Sequence, residues 1–298
     1  MIVKMKKLKE GWFSRKMDNL YNINVIKKVM SKHRVNFSKS LGQNFLVNGE
    51  ICPMMAKQFE GIDNLGILEI GPGVGVLTNE LAKVADKVLS IEIDKSLLPV
   101  LKETVGEYNN VKIINDDAMN IDLNKLISDE FGNKNVCICA NLPYYITSPI
   151  IMKILEERVN IKSMVLMVQK EAAIRLCAKP GDKNSSAISV SVRYYSNPYI
   201  LEDVKRDNFI PSPKVDSSII RLDILDKPPV EVKDELKFFK IVKASFALRR
   251  KTIENSLSAS LGISKGKIKE LLIKSSIDGS RRAEELSIED FKRISDNF

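Results

Sequence analysis

Histidine, tryptophan and cysteine are scarce: one, one and four in 298 residues. The single histidine, His33, lies near the N-terminus, away from every motif described below. A Ser-His-Asp triad or a histidine-rich metal centre therefore has nothing to be built from. Cys137 and Cys139 alternate along an apolar run and share one strand face, which is a poor metal clip. Reduced core thiols are expected, and no metal site. No window approaches the apolar length of a membrane span. The basic start, residues 1–16, lacks the apolar core of a secretory signal. A cytoplasmic, monomeric protein without membrane attachment is expected. Repeats, low-complexity tracts and a Walker phosphate-binding motif are all missing. What remains, 44% hydrophobic and 29% charged residues, suits a folded protein of one large and one smaller domain.

Charge is unevenly placed. Residues 1–40 hold 11 Lys/Arg against 2 Asp/Glu, residues 41–227 hold 21 against 25, and residues 228–298 hold 15 against 11. Basic ends around a mildly acidic middle suit a polyanion gripped at the ends, with chemistry between them. Solvated basic tails would give the same pattern.

Apolar runs at 66–70, 87–93, 111–115, 136–140 and 163–168 read as strands, and helical patterns separate the early ones. Val74, Leu77, Leu81 and Val84 mark one helix face. The alternation predicts an α/β fold, a Rossmann-like, mostly parallel sheet with helices on both faces. Runs at 187–195 and 217–225, without a clear helix between them, are expected to form an antiparallel edge. Beyond a Pro-rich linker the pattern is helical at 238–257, 265–274 and 288–294, with Ser287 and Asp290 as a capping pair. Three regions are expected: a basic extension at 1–37, part-helical around 20–30; a catalytic domain at 38–226; and a small all-helical domain at 227–298.

Glu69-Ile-Gly71-Pro-Gly73-Val-Gly75 follows a strand and opens a helix. Its glycines let backbone approach a ligand, but their spacing is not the dinucleotide fingerprint. Glu92 ends the next strand, where a carboxylate can accept both hydroxyls of a ribose. Asp117 ends the third, where one can accept from an adenine amino group. Three strand ends in this order resemble class I S-adenosylmethionine methyltransferases. The resemblance implies S-adenosyl-L-methionine as cofactor, with Gly71, Gly73, Glu92 and Asp117 against it.

The fourth strand ends in Asn141-Leu142-Pro143-Tyr144. An adenine amino nitrogen is a poor nucleophile because its lone pair is delocalised into the ring. The Asn141 amide oxygen and the carbonyl of Leu142 or Pro143 can accept its two N–H bonds and localise that pair. Pro143 fixes the turn, and Tyr144 offers a face for stacking. The tetrapeptide resembles the (D/N)PP(Y/F) signature of methyltransferases acting on base amino groups.

With Ser40-Leu-Gly-Gln43-Asn44-Phe45-Leu46, Phe209-Ile-Pro-Ser-Pro-Lys214-Val-Asp-Ser, Phe246-Ala-Leu-Arg249-Arg250-Lys251 and Arg281-Arg-Ala-Glu284, the motifs resemble the small-subunit ribosomal RNA adenine dimethyltransferases of the kasugamycin-sensitivity type. The likeness runs from about residue 38 to the C-terminus. It implies N6,N6-dimethylation of two adjacent adenines in a hairpin loop near the 3′ end of 16S rRNA, in the small subunit or its precursor. It places Asn44, Leu46 and Asn141 against the cofactor, with 43–46 as a lid, and stacks Phe209 on the adenine opposite Tyr144. It turns Lys214, Arg249, Arg250 and Lys251, the last three on an expected helix, toward RNA phosphates. A 23S rRNA methyltransferase of the macrolide-resistance type and an assembly factor acting mainly by binding are the competing readings.

Overall fold

The computed structural model describes residues 20–35 and 44–298; most of the basic extension and Ser40–Gln43 lie outside them. Helix α1 (Ile23–Lys32) and a short β1 (Phe45–Leu46) precede α2 (Ile51–Lys57). Strands and helices then alternate: β2 (Leu65–Ile70), α3 (Val76–Val84), β3 (Lys87–Glu92), α4 (Leu98–Thr104), β4 (Val111–Asn115), α5 (Leu123–Phe131), β5 (Asn135–Asn141), α6 (Thr147–Glu156) and β6 (Ser163–Gln169). After α7 (Lys170–Cys177) and α8 (Ala187–Tyr195) come β7 (Ser196–Val204), β8 (Phe209–Ile210) and β9 (Ser217–Ile224). Four helices finish the chain: α9 (Glu235–Phe246), α10 (Ile253–Leu261), α11 (Lys265–Lys274) and α12 (Ile288–Asn297).

The main sheet has the order β4-β3-β2-β5-β6-β9-β7. The first five strands are parallel, in registers such as Ile67↔Val88 and Ile67↔Cys137. All six β2 positions are buried, as expected of a strand covered on both faces. The order reverses about β2, so the connections leaving β2 and β5 diverge and open a crevice at their carboxyl ends. Bonds from Ser218 to Asp203 and from Tyr199 to Asp223 run in opposite senses along β9 and β7, which makes that edge antiparallel.

Two expectations need correction. Residues 187–195 are helix α8, not a strand. Ser186 caps it in a reciprocal box with Ser189, which fixes a helical start that the alternating Val190, Val192 and Tyr194 conceal. The edge strand is Ser196–Val204 instead. The expected continuous helix at 238–257 is two helices, α9 and α10. Thr252 caps the second through the Asn255 N–H, and Ser256 Oγ donates to Ala244 O at 2.9 Å while accepting from Leu248 N. Arg249, Arg250 and Lys251 thus lie in the turn between helices.

By contacts the chain divides into two compact units. One holds the described residues up to Lys170 together with Leu201–Arg221. Within it α1 is docked: Ile26 and Met30 are buried, Tyr21 donates to Glu80 at 3.3 Å, and Lys32 and His33 meet Glu103 at 2.8 and 2.7 Å. The second unit holds Glu171–Ile200 and Leu222–Phe298. Its core packs Tyr194 against Phe238 and Phe239 and stacks Tyr195 on Phe239, with ring centres 5.1–5.5 Å apart. The Ser287–Asp290 capping box opens α12 as its sequence predicts.

Candidate active site at the carboxyl ends of the sheet

The crevice is a cavity of about 330 Å³ within the first unit. Gly71, Gly73 and Gly75 turn above β2 with φ of +71°, +60° and +89°. Only glycine adopts these angles cheaply, and a Cβ on Gly75 would also meet Val105 Cγ1 at 2.8 Å. Below the turn, buried Glu69 accepts from Thr78 Oγ1 at 2.7 Å and Ser90 Oγ at 2.6 Å through one oxygen. Its other oxygen is buried without a partner among the described residues. Burial pushes the Glu69 carboxyl up to about 7, against the pull of the Ser90 and Thr78 bonds.

Glu92 ends β3 and is only 4% exposed. One oxygen accepts from the Gly73 N–H at 3.1 Å and the other from the Asp94 N–H at 2.8 Å. The carboxylate thus ties the glycine turn to the next strand and keeps lone pairs toward the cavity it lines. Burial raises its pKa, and the backbone donors oppose that. Past β4, Asp117 is held by the Met119 N–H and Asn120 Nδ2, both at 2.9 Å.

Asn141 ends β5, beside Met167 of β6. Its carboxamide lines the cavity and has no hydrogen-bond partner among the described residues. The following turn is fixed by Leu142 N–H donating to Met167 O at 3.2 Å. The Pro143 carbonyl already accepts from Ile146 N–H at 3.2 Å and Thr147 Oγ1 at 3.3 Å. Of the two carbonyls the sequence offers, that leaves Leu142's available. Tyr144 is half-buried, with its hydroxyl 3.0 Å from Ser217 Oγ. Burial raises the phenol's pKa, with Ser217 opposing and Asp216 adding to the rise.

Phe209, 2% exposed, lines the same cavity from β8. β8 pairs antiparallel with β1, Leu46 opposite Phe209, and Val47 N–H donates to Asn208 O at 2.9 Å. This ladder holds Asn44 and Leu46 at the cavity wall. Every residue singled out from sequence for cofactor or base lines this one space, Gln43 lying outside the described residues. The sequence patterns do not single out Ile93, Ala118, Met119 or Tyr145, which also line it. An apolar neighbour beside each strand-end acid was the only signal available. Lys214, in the loop between β8 and β9, is exposed and lines no part of the cavity; the same holds for Arg249, Arg250 and Lys251 in the second unit.

The lining among the described residues includes three carboxylates, Glu92, Asp116 and Asp117, and no lysine or arginine. Such a wall disfavours phosphates and favours a cationic ligand. Strand-end acceptors, apolar side chains and a Cβ-free turn fit S-adenosylmethionine, which has a sulfonium, an amino group, a ribose and an adenine.

Residues 34–298 match the family described as ribosomal RNA adenine dimethylase. A protein of Alkaliphilus oremlandii (strain OhILAs), named ribosomal RNA small subunit methyltransferase A, is 48% identical over 283 residues, covering 95% of this chain and 99% of its own. A solved dimethyladenosine transferase from Plasmodium falciparum aligns with a TM-score of 0.68 at 26% identity, over 84% of this chain and 95% of its own. The solved 23S rRNA methyltransferase ErmE aligns at 0.65 and 27%, over 85% and 99%. Family, sequence and fold agree over nearly the whole length, around a cavity suited to this chemistry: the chain belongs to the ribosomal RNA adenine dimethylase family.

Proposed function

We propose that this protein dimethylates N6 of two adjacent adenines in a hairpin loop near the 3′ end of 16S rRNA, using S-adenosylmethionine. The observation that carries the reading is the Asn141–Tyr144 turn, whose free carboxamide shares a cavity with Glu92, Asp117 and the glycine turn. When bound, the cofactor supplies a methyl group on a positively charged sulfur, open to in-line attack. Asn141 Oδ1 accepts one N6–H of adenine and the Leu142 carbonyl the other, which localises the nitrogen lone pair and aims it. Tyr144 and Phe209 hold the ring by its faces, so positioning does most of the catalytic work. Glu92 holds the ribose of the cofactor and Asp117 its adenine, while Asn44 and Leu46 close over it. Lys214, Arg249, Arg250 and Lys251 contact phosphates. The partner is the small ribosomal subunit or its precursor, and the enzyme acts as a cytoplasmic monomer. No helix among the described residues is long and apolar enough to cross a membrane. The basic extension, the catalytic domain from 38 to 226 and the helical domain from 227 divide these tasks. The 48% identity to a small-subunit enzyme favours 16S over 23S rRNA, against 27% to ErmE.

The test incubates the protein with radiolabelled S-adenosylmethionine and unmethylated small and large ribosomal subunits, then identifies the labelled rRNA and nucleoside. Dimethyladenosine in 16S rRNA, falling about 10²-fold or more in Asn141→Ala, is expected. Label confined to 23S rRNA moves the target to the large subunit. Cofactor binding with no labelled RNA leaves an assembly factor.

A further inference from the structure

Two consecutive tyrosines follow Pro143, and they are used differently. Tyr144 turns inward and bonds Ser217. Tyr145 also lines the cavity, yet it is 57% exposed, and its hydroxyl has no hydrogen-bond partner among the described residues. Its backbone is not loose. The turn is pinned on one side by Leu142 N–H on Met167 O and on the other by Ile146 N–H on Pro143 O, where α6 begins. A fixed aromatic face open at a cavity mouth is available to stack on a ligand, while its hydroxyl stays solvated.

The surroundings of Tyr144 indicate what covers that face. Ser217, bonded to Tyr144, ends the loop from Pro211, and that loop exposes Val215 at 45% and the Lys214 cation. The loop is anchored by Lys170 N–H on Asp216 O and by Arg206 N–H on Asp216 Oδ1, and the Arg206 side chain is exposed. Exposed aromatic, apolar and cationic groups on anchored backbone are what a single-stranded nucleic acid needs: a ring for a base and charge for its phosphates. The cavity itself, lined among the described residues by carboxylates and no cation, suits an uncharged base better than phosphates.

We propose that Tyr145 is a stacking platform for the RNA base next to the one held in the cavity. The inference rests on the rRNA reading above and adds a specificity-determining contact to it. Drawing one base into the cavity strips its neighbour of a stacking partner. Tyr145 replaces that partner at the rim, and so makes the flanking nucleotide part of what the enzyme reads.

The experiment is a coupling cycle. Full-length protein with Tyr145 or Tyr145→Ala is titrated, in the presence of S-adenosylmethionine, with hairpin RNAs whose target adenine is flanked either by a normal nucleotide or by an abasic one. Base–aromatic stacking makes loss of the side chain or of the base each cost about 5- to 150-fold in RNA affinity, and loss of both no more than either alone. Tyr145→Phe is expected to keep the coupling, and cofactor affinity to stay unchanged in both variants. Losses that multiply, or a Tyr145→Ala defect in cofactor affinity instead, overturn the platform while leaving the rRNA reading intact. Wild-type protein that binds no hairpin and methylates no ribosomal RNA overturns both.

Discussion

Glu69→Gln probes the acid beneath the glycine turn. In the folded protein burial holds the Glu69 carboxyl at about 7, against an ordinary value of 4.5. The native state therefore keeps the proton over a range in which the unfolded chain has released it. Stability from this group is fully present below about pH 4.5, falls as pH rises toward 7, and is gone above that. A gap of this size corresponds to about 3 kcal/mol, since each pKa unit is worth about 1.4 kcal/mol. Glutamine has the shape of the protonated acid and does not titrate. Its oxygen can still accept from Thr78 and Ser90, and the amide nitrogen takes the position that already lacks a partner. Urea unfolding, followed by circular dichroism from pH 5 to 8, measures the difference between the two proteins. Wild type is expected to lose about 2–3 kcal/mol relative to the variant across that window. Parallel stability curves would show that Glu69 is ionised throughout, and would refute the account of this site.

The other expectations concern cofactor, RNA and backbone. Glu92→Gln removes the charge from a carboxylate that accepts from the glycine turn and that we propose holds the ribose. A hydrogen bond to a charged group is worth about 1.5–3 kcal/mol, so calorimetry should find cofactor affinity about 10- to 150-fold weaker; unchanged affinity removes Glu92 from the site. Replacing Arg249, Arg250 and Lys251 together by alanine should reduce the salt dependence of RNA binding, lowering the log–log slope by about 2–3 if all three meet phosphates. Gly75→Ala forces a Cβ to within 2.8 Å of Val105 at φ +89° and should cost about 1–3 kcal/mol in unfolding experiments.

Much of the catalytic half was legible because parallel sheets write themselves plainly. Buried strands such as Leu65–Ile70 are continuous apolar runs, and the acids at their ends interrupt an otherwise apolar pattern. Asn141 was found the same way, as the polar residue closing Val136–Ala140. Misreadings occurred where local chemistry outweighed period. Alternating β-branched and aromatic residues at 190–194 suggested a strand, but the Ser186–Ser189 box made a helix of them. A single helix through 238–257 was suggested by apolar spacing, which carries no mark of the Thr252 cap that starts a second helix there. Least legible was the β1–β8 ladder. Two-residue strands leave no periodic trace, and Leu46 and Phe209 are 163 positions apart, so only the resemblance linked them to one site.

The carboxylate-lined cavity also bears on competition. Every cell carries a pool of free adenine nucleotides whose ring and ribose match what this pocket recognises. Their phosphates would enter a cavity whose charged lining among the described residues is Glu92, Asp116 and Asp117, with no lysine or arginine to offset the repulsion. Charge alone therefore screens that pool out of the cofactor's place. An adenine that belongs to a polymer is not excluded in this way, because its backbone can stay outside while only the uncharged ring goes in.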